Sequence, residues 1–304
     1  MTPTALNYGP ILDALRGVHW PARGAVRGGA TGTHHSRMRG VSAEFTEYRT
    51  YRQGDDPRRI DWKLLARSDR AYIRLATDRA VLPTTLVVDT SASMAYPPGT
   101  GAKWVAARQI VVGLAAVAHA DGDPVGLAAP SRAGVRRVPP RTRRGVVSEL
   151  ARALDTLSPA GAAPLAPLVA ALAGGARWAG ARVAVIGDFL SGEEGLLRAA
   201  RQCVVAGSEV HAVHVVAPEE LDPPLGVLAT DPEDATVRRP LVDASRAEYV
   251  AAFAAWREGL ARAWRDAGAS YTLVVAGEAT ERAVRRVVAP GVVPRESAAI
   301  GGAR

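Results

Sequence analysis

The chain has 304 residues, 48% of them hydrophobic, a formal net charge of +8 and a single cysteine. That length holds one large α/β domain with an appendage, or two small domains, and the apolar fraction excludes a fibrous or wholly disordered chain. A lone Cys203 excludes an internal disulfide and any zinc cluster built on paired cysteines; between Gln202 and Val204 on an expected helix, it reads as a small buried apolar residue.

Residues 1–31 read as a flexible N-terminus, where Gly, Pro and Arg dominate and no hydrophobic period persists. Pro3, Pro10, Asp13 and Arg16 interrupt any apolar signal segment. The longest apolar run, Ile110 to Ala120, is about half of a spanning helix and contains His119. The expectation is a cytoplasmic protein without a membrane span. Met1 to Ala80 carries 14 basic against 8 acidic residues, whereas the remaining 224 residues carry 24 against 22. Nucleic-acid binding needs such residues on one face, with stacking aromatics or a known module. None is visible, so a nucleic-acid-associated protein using the N-terminal arginines stands as an alternative. Arg136, Arg137, Arg141, Arg143 and Arg144 read as a solvated loop and helix start.

Residues 32–80 form a polar, aromatic and charged segment with short extended stretches such as Tyr72 to Ala76, expected to pack on the core. From 81 to 290 the pattern is that of an alternating α/β domain. Thr84 to Val88 is a buried strand ending at Asp89, followed by a helix from about Lys103 to Ala120. Val125 to Ala129 and Gly134 to Val138 pair as short strands, and helices follow over about Thr142–Leu157 and Leu165–Trp178. Arg182 to Ile186 is a second buried strand that leads to Asp188. Then come a helix (Glu193 to Val205), a strand (Glu209 to Val216) and a β-hairpin insertion at about 225–242 with its turn at Asp231 to Asp234. A long helix carries Tyr249, Phe253, Trp256, Leu260 and Trp264 on one stripe; a last strand, Tyr271 to Val275, precedes a short helix and a frayed tail, 291–304. Strands alternating with helices predict a mostly parallel sheet covered on both faces, with ligands collecting at the carboxyl ends of its strands.

Asp89-Thr90-Ser91-Ala92-Ser93 has the form Asp-x-Ser-x-Ser. A carboxylate and two hydroxyls leaving a strand end suit a hard cation, Mg²⁺ or Mn²⁺, and Asp188 adds a second carboxylate from a neighbouring strand. Asp and Ser are also what a turn and a helix cap require; the apolar strand before Asp89 and the later strand-end Asp favour a site. Asp89, Ser91, Ser93 and Asp188 are the candidate metal ligands.

The run Asp89 to Met94 resembles the metal-ion-dependent adhesion motif of von Willebrand factor A domains. A longer series resembles the bacterial family called domain of unknown function 58. It comprises Gly32-Thr33-His34-His35-Ser36, Arg39-Gly40, Glu44-Phe45, Tyr48-Arg49, Tyr51 to Trp62, Ala66-Arg67 and the Asp-x-Ser-x-Ser run. The resemblance implies a von Willebrand factor A-like sheet and a non-catalytic interaction role. It further implies a MoxR-type AAA+ ATPase as partner in assembly or maturation of a client protein, through a metal with an open position for a partner carboxylate. Where the family carries a threonine ligand, the matching stretch Gly161 to Leu165 places Ala163, which cannot coordinate.

Other motifs carry less. Pro97 to Trp104 approaches a phosphate loop, but Tyr96 replaces its first Gly, Lys103 falls one residue late and no Ser or Thr follows. An aspartyl phosphatase would need a second Asp where Ser91 stands, and no Gly-x-Ser-x-Gly elbow is present; a divalent-metal hydrolase is the remaining catalytic alternative. His211 and His214 read as packing and hydrogen-bonding residues. Asp55, Asp56, Arg58, Arg59, Asp61 and Trp62 fit a salt-bridged clasp; Asp55, Arg59, Asp61 and Trp62 fit a partner-docking surface as well, since Arg and Trp favour interface centres.

Overall fold

The computed structural model describes residues 6–23, 31–35, 45–53, 55, 57, 60–68, 70–76, 79–173, 180–191, 193–224, 228–230, 238–240 and 243–289. Before the core lie helix α1 (Gly9–Ala14), strands β1 (Thr31–His35) and β2 (Phe45–Thr50), helix α2 (Trp62–Ser68), and strands β3 (Tyr72–Ala76) and β4 (Arg79–Ala80). The core runs β5 (Thr84–Val88), a 3-10 turn (Ala92–Ala95), α3 (Ala102–Ala120), β6 (Val125–Ser131), β7 (Gly134–Arg141), α4 (Val146–Asp155) and α5 (Ala166–Ala173). It continues through β8 (Arg182–Gly187), α6 (Glu193–Val205), β9 (Glu209–Val216) and α7 (Pro218–Leu221). The insertion strands β10 (Leu228–Thr230) and β11 (Arg238–Pro240) follow, then α8 (Asp243–Asp266), β12 (Ser270–Val275) and α9 (Thr280–Val288).

Six strands form one sheet in the order β12-β9-β8-β5-β6-β7. All neighbours are parallel except β6 and β7. Every residue of β5 and of β8 is buried, which is why Leu86 to Val88 and Val183 to Ile186 read as continuous apolar runs rather than as alternating ones. One face packs on α1, α3, α4 and α9, around Leu86, Ile110, Leu114, Leu150 and Val284. The other packs on α5, α6 and α8, around Val87, Val169, Val185, Leu197 and Trp264. The chain leaves β5 for α3 on the first face and leaves β8 for α6 on the second. Adjacent strands with diverging exits open a crevice at their carboxyl ends. This is the von Willebrand factor A-like arrangement that the motifs imply, and it puts Asp89 and Asp188 side by side. Among the described residues, no helix is long and apolar enough to cross a membrane.

Three expectations change. Residues 6–23 are not loosely ordered: Leu15, Val18 and Trp20 are buried in the core. The Trp20 ring lies 4.2 Å from the guanidinium of Arg182, a fully buried side chain that donates to Trp20 O at 2.9 Å and pairs with Asp123 and Glu209. Asp121 accepts from Trp20 N at 2.7 Å and contacts His19 Nδ1 at 2.6 Å. This network fastens the N-terminal segment across the amino ends of the strands. Second, the edge strand β7 runs past Val138 to Arg141, so Arg141 shares it with Arg136 and Arg137 instead of lying in a loop. A register shift opposite Val125 and Leu127 admits Pro139 and Pro140, because an edge strand tolerates prolines and bulges. Third, α4 begins at Val146 rather than Thr142, after Gly145 in the left-handed conformation at φ 83°. The insertion hairpin is present as β10 paired with β11, while its expected turn, the end of the expected helix at 174–178 and the tail 291–304 lie outside the described residues.

Candidate functional site

The carboxyl ends of β5 and β8 build the site. Asp89 N donates to Ile186 O at 2.8 Å, so the first aspartate is still laddered to β8 as it leaves β5. Gly187 makes this approach feasible, since a Cβ there would stand 2.7 Å from the Cβ of Asp89 and 2.9 Å from its Oδ2. Asp89 Oδ1 accepts from Ser91 N at 2.8 Å, a local turn that brings the hydroxyls round. Ser91 Oγ and Ser93 Oγ then lie 3.0 Å apart and are hydrogen-bonded. Ala160 N donates to Thr90 O and Ala92 N donates to Gly161 O, both at 2.9 Å. The loop that carries Ala163 is therefore stitched to the motif, and offers a methyl group. Asp89, Ser91, Ser93 and Asp188 are all buried.

After β8 the backbone turns sharply. Phe189 adopts φ 57°, a left-handed conformation that costs a non-glycine residue about 1–2 kcal/mol. Its ring is buried against His214, at 5.6 Å, and Trp264, at 5.2 Å. That packing offsets the strain and fixes where Asp188 points. His214 sits opposite Gly187 in the β8–β9 register and contacts Tyr271 Oη through Nδ1 at 2.5 Å. Burial drives its imidazole down to about 3. His211, tied to Ser270 Oγ at 2.9 Å, is likewise lowered by burial, to about 4. Packing and hydrogen bonding account for both, as expected.

Lys103 is the residue that the motif reading missed. It lies in the first turn of α3, and its side chain is fully buried. Its Nζ donates to Asp188 Oδ2 at 2.7 Å and to Glu220 Oε1 at 2.8 Å. Burial alone would lower its pKa, but Asp188 and Glu220 outweigh burial and hold it above the ordinary lysine value. Glu220 is placed by helix capping: its Oε2 accepts from Ala217 N, at 2.6 Å, at the start of α7. The Tyr96 ring centroid stands 6.0 Å from Nζ. Among the described residues, no cation stands at hydrogen-bond distance from Asp89. Burial first, and the nearby Asp188 charge second, push its carboxyl up to about 7. One signal for Lys103 was available: it is one of only two lysines among 38 basic residues, directly behind a Pro-Gly loop at a strand end.

The residues present fit a divalent ion only in part. Mg²⁺ holds oxygens at about 2.1 Å in octahedral geometry, which puts neighbouring ligands about 3 Å apart, so the hydroxyl pair suits an ion. Asp188 does not. Asp188 Oδ2 is committed to Lys103, and its Oδ1 accepts from Leu190 N at 3.2 Å. An ion bound by Asp188 would sit within about 5 Å of Nζ, where repulsion is roughly 7 kcal/mol at an effective dielectric of about 20. Ala163 supplies no oxygen. Among the described residues, no group of three or more His, Cys, Asp or Glu side chains is arranged to hold a metal ion. Of the expected Mg²⁺ or Mn²⁺ ligands, Ser91 and Ser93 are therefore spaced for an ion, while Asp188 already serves Lys103.

The second candidate surface is α2. Asp61 caps this helix, its Oδ1 accepting from Lys63 N and Leu64 N at 3.0 Å while Tyr48 Oη donates to Oδ2 at 2.9 Å. Asp55 Oδ2 accepts from Arg52 N at 2.8 Å within a turn. Both carboxylates shape local structure through hydrogen bonds from nearby backbone N–H groups and, for Asp61, a tyrosine hydroxyl. Trp62 does not join it: the residue is 62% exposed. Arg59, Asp56 and Arg58 lie outside the described residues.

Topology and the strand-end cluster of Asp89, Ser91, Ser93 and Asp188 are those of a von Willebrand factor A-like domain. The chain belongs to the family described as protein of unknown function DUF58, which matches residues 47–259. It is 32% identical to the uncharacterized protein Rv1480 of Mycobacterium tuberculosis and to the uncharacterized protein Mb1516 of Mycobacterium bovis, in each case over 88% of this chain and 87% of the relative. Among solved structures, it is similar to the conserved hypothetical protein BatB from Bacteroides thetaiotaomicron (18% identity, TM-score 0.44, 68% of this chain and 97% of that one). It is also similar to the SpRpn10 VWA domain (13% identity, TM-score 0.39, 70% and 100%).

Proposed function

We propose that this chain is a non-catalytic protein-interaction adaptor that works with a MoxR-type AAA+ ATPase in the assembly or maturation of a client protein. Its partner site, in this reading, is the strand-end rim at Asp89, Ser91, Ser93 and Asp188, similar in layout to a metal-ion-dependent adhesion site. The observation that carries the reading is the convergence of two acidic side chains from adjacent strands at the point where their connections part. Such crevices are where open α/β sheets bind. Membership of the DUF58 family supports an interaction role, and the ATPase partnership follows from what the family resemblance implies. Trp62, exposed on α2 within the family segment, offers a second contact, since Trp is enriched among the residues that carry binding energy at interfaces.

The test is capture of the cognate MoxR-type ATPase by immobilised chain. Asp89→Ala is expected to weaken capture with the circular dichroism spectrum unchanged. Undiminished capture by a folded Asp89→Ala variant would remove the rim from the proposal.

A further inference from the structure

We propose that Lys103 is the resident cation of the buried strand-end cluster, an ammonium group built into the chain where adhesion-type domains of this fold hold a divalent metal ion. The inference concerns the cluster itself and stands whether or not an ATPase is the partner.

Four observations carry it. The side chain is fully buried, and a buried ammonium persists only when anionic partners surround it; Asp188 and Glu220 meet it at 2.7 and 2.8 Å. Those bonds, with Leu190 N on Asp188 and Ala217 N on Glu220, occupy all four oxygens of the two carboxylates. The position that would supply a third hydroxyl is Ala163, in a loop tied by its backbone to Thr90 and Ala92. Last, the residue is lysine in a chain that otherwise uses arginine for 36 of its 38 basic positions. A compact ammonium on a flexible stem fits between two strand-end carboxylates, where a planar guanidinium does not present its donors around one point. Lys103 also couples elements that are distant in sequence. It joins α3 to the end of β8 and to α7, so the rim keeps its shape without an added ion.

The experiment has three readings on the full chain. Calorimetric titration of the wild-type protein with MnCl₂ and MgCl₂ is expected to show no saturable binding; one-to-one binding that is lost in Asp89→Ala would overturn the proposal. Reductive methylation under native conditions is expected to modify Lys63 and spare Lys103, read by peptide mass spectrometry; modification of both at similar rates would overturn it too. Finally, the Lys103→Met, Ala163→Thr double variant removes the ammonium and restores the hydroxyl. Its Mn²⁺ affinity, measured by the loss of the free-ion electron paramagnetic resonance signal, is expected to exceed the wild type's by at least about tenfold. A folded double variant that gains no affinity would show that Lys103 is not what keeps the ion out. Should the double variant not fold, the wild-type titration and the methylation still decide.

Discussion

Replacing Lys103 by methionine keeps most of the side-chain volume and removes the charge. It leaves Asp188, whose side chain is 3% exposed, and Glu220, at 14%, without their cation. Breaking a buried pair by deleting one partner costs about 3–5 kcal/mol. Glu220 can regain some water, so the lower half of that range applies, about 3–4 kcal/mol. Urea denaturation followed by circular dichroism at pH 8 reads this directly as a lower midpoint. The pH dependence supplies the sign. In the wild type, Lys103 stabilises at every pH below its unfolded value of 10.5 and loses its contribution only as pH rises through its higher folded value. A loss under about 1 kcal/mol at pH 8 would refute the claim that this ammonium holds the rim together.

Three further perturbations separate the parts of the account. Asp89 titrates near 7 when folded against 3.8 unfolded, so its ionisation removes stability as pH rises through that window. Asp89→Asn, which keeps an acceptor for Ser91 N, is therefore expected to exceed wild type by about 2–4 kcal/mol at pH 8, and the gap should close by about pH 4. Equal urea midpoints at both pH values would contradict this. Trp20→Ala removes a buried indole stacked on Arg182 and should cost about 3–5 kcal/mol; a thermal midpoint within a degree or two of wild type would mean that the N-terminal segment is not part of the core. Trp62→Ala, at an exposed position, should change stability by less than about 0.5 kcal/mol while weakening capture of the ATPase, and unchanged capture would leave α2 out of the interface.

The sheet was legible because its physics is local. The apolar runs Leu86 to Val88 and Val183 to Ile186 mark buried parallel strands, and the stripe Tyr249, Phe253, Trp256, Leu260, Trp264 marks a face of α8 that is buried at Leu260 and Trp264 and exposed at Tyr249. Asp89 and Asp188 were legible because each follows such a run. What stayed hidden depends on long-range partners. Lys103 meets residues 85 and 117 positions away, and Glu220 looks like an ordinary helix-start acid. Arg182 meets the Trp20 carbonyl across 162 positions. The Gly, Pro and Arg around Trp20 mask the three apolar residues, Leu15, Val18 and Trp20, that anchor the segment. Resemblance to a metal-binding motif also directed attention to oxygen ligands, while the charge that satisfies one of them stands in the first turn of α3.

Hydrogen exchange on the full chain, with and without a saturating MoxR-type ATPase, tests the central claim most directly. The account expects added protection in the peptides spanning 89–96, 160–165, 188–191 and 217–220, which together form the rim. Protection confined to other peptides, or no change at saturation, would contradict it.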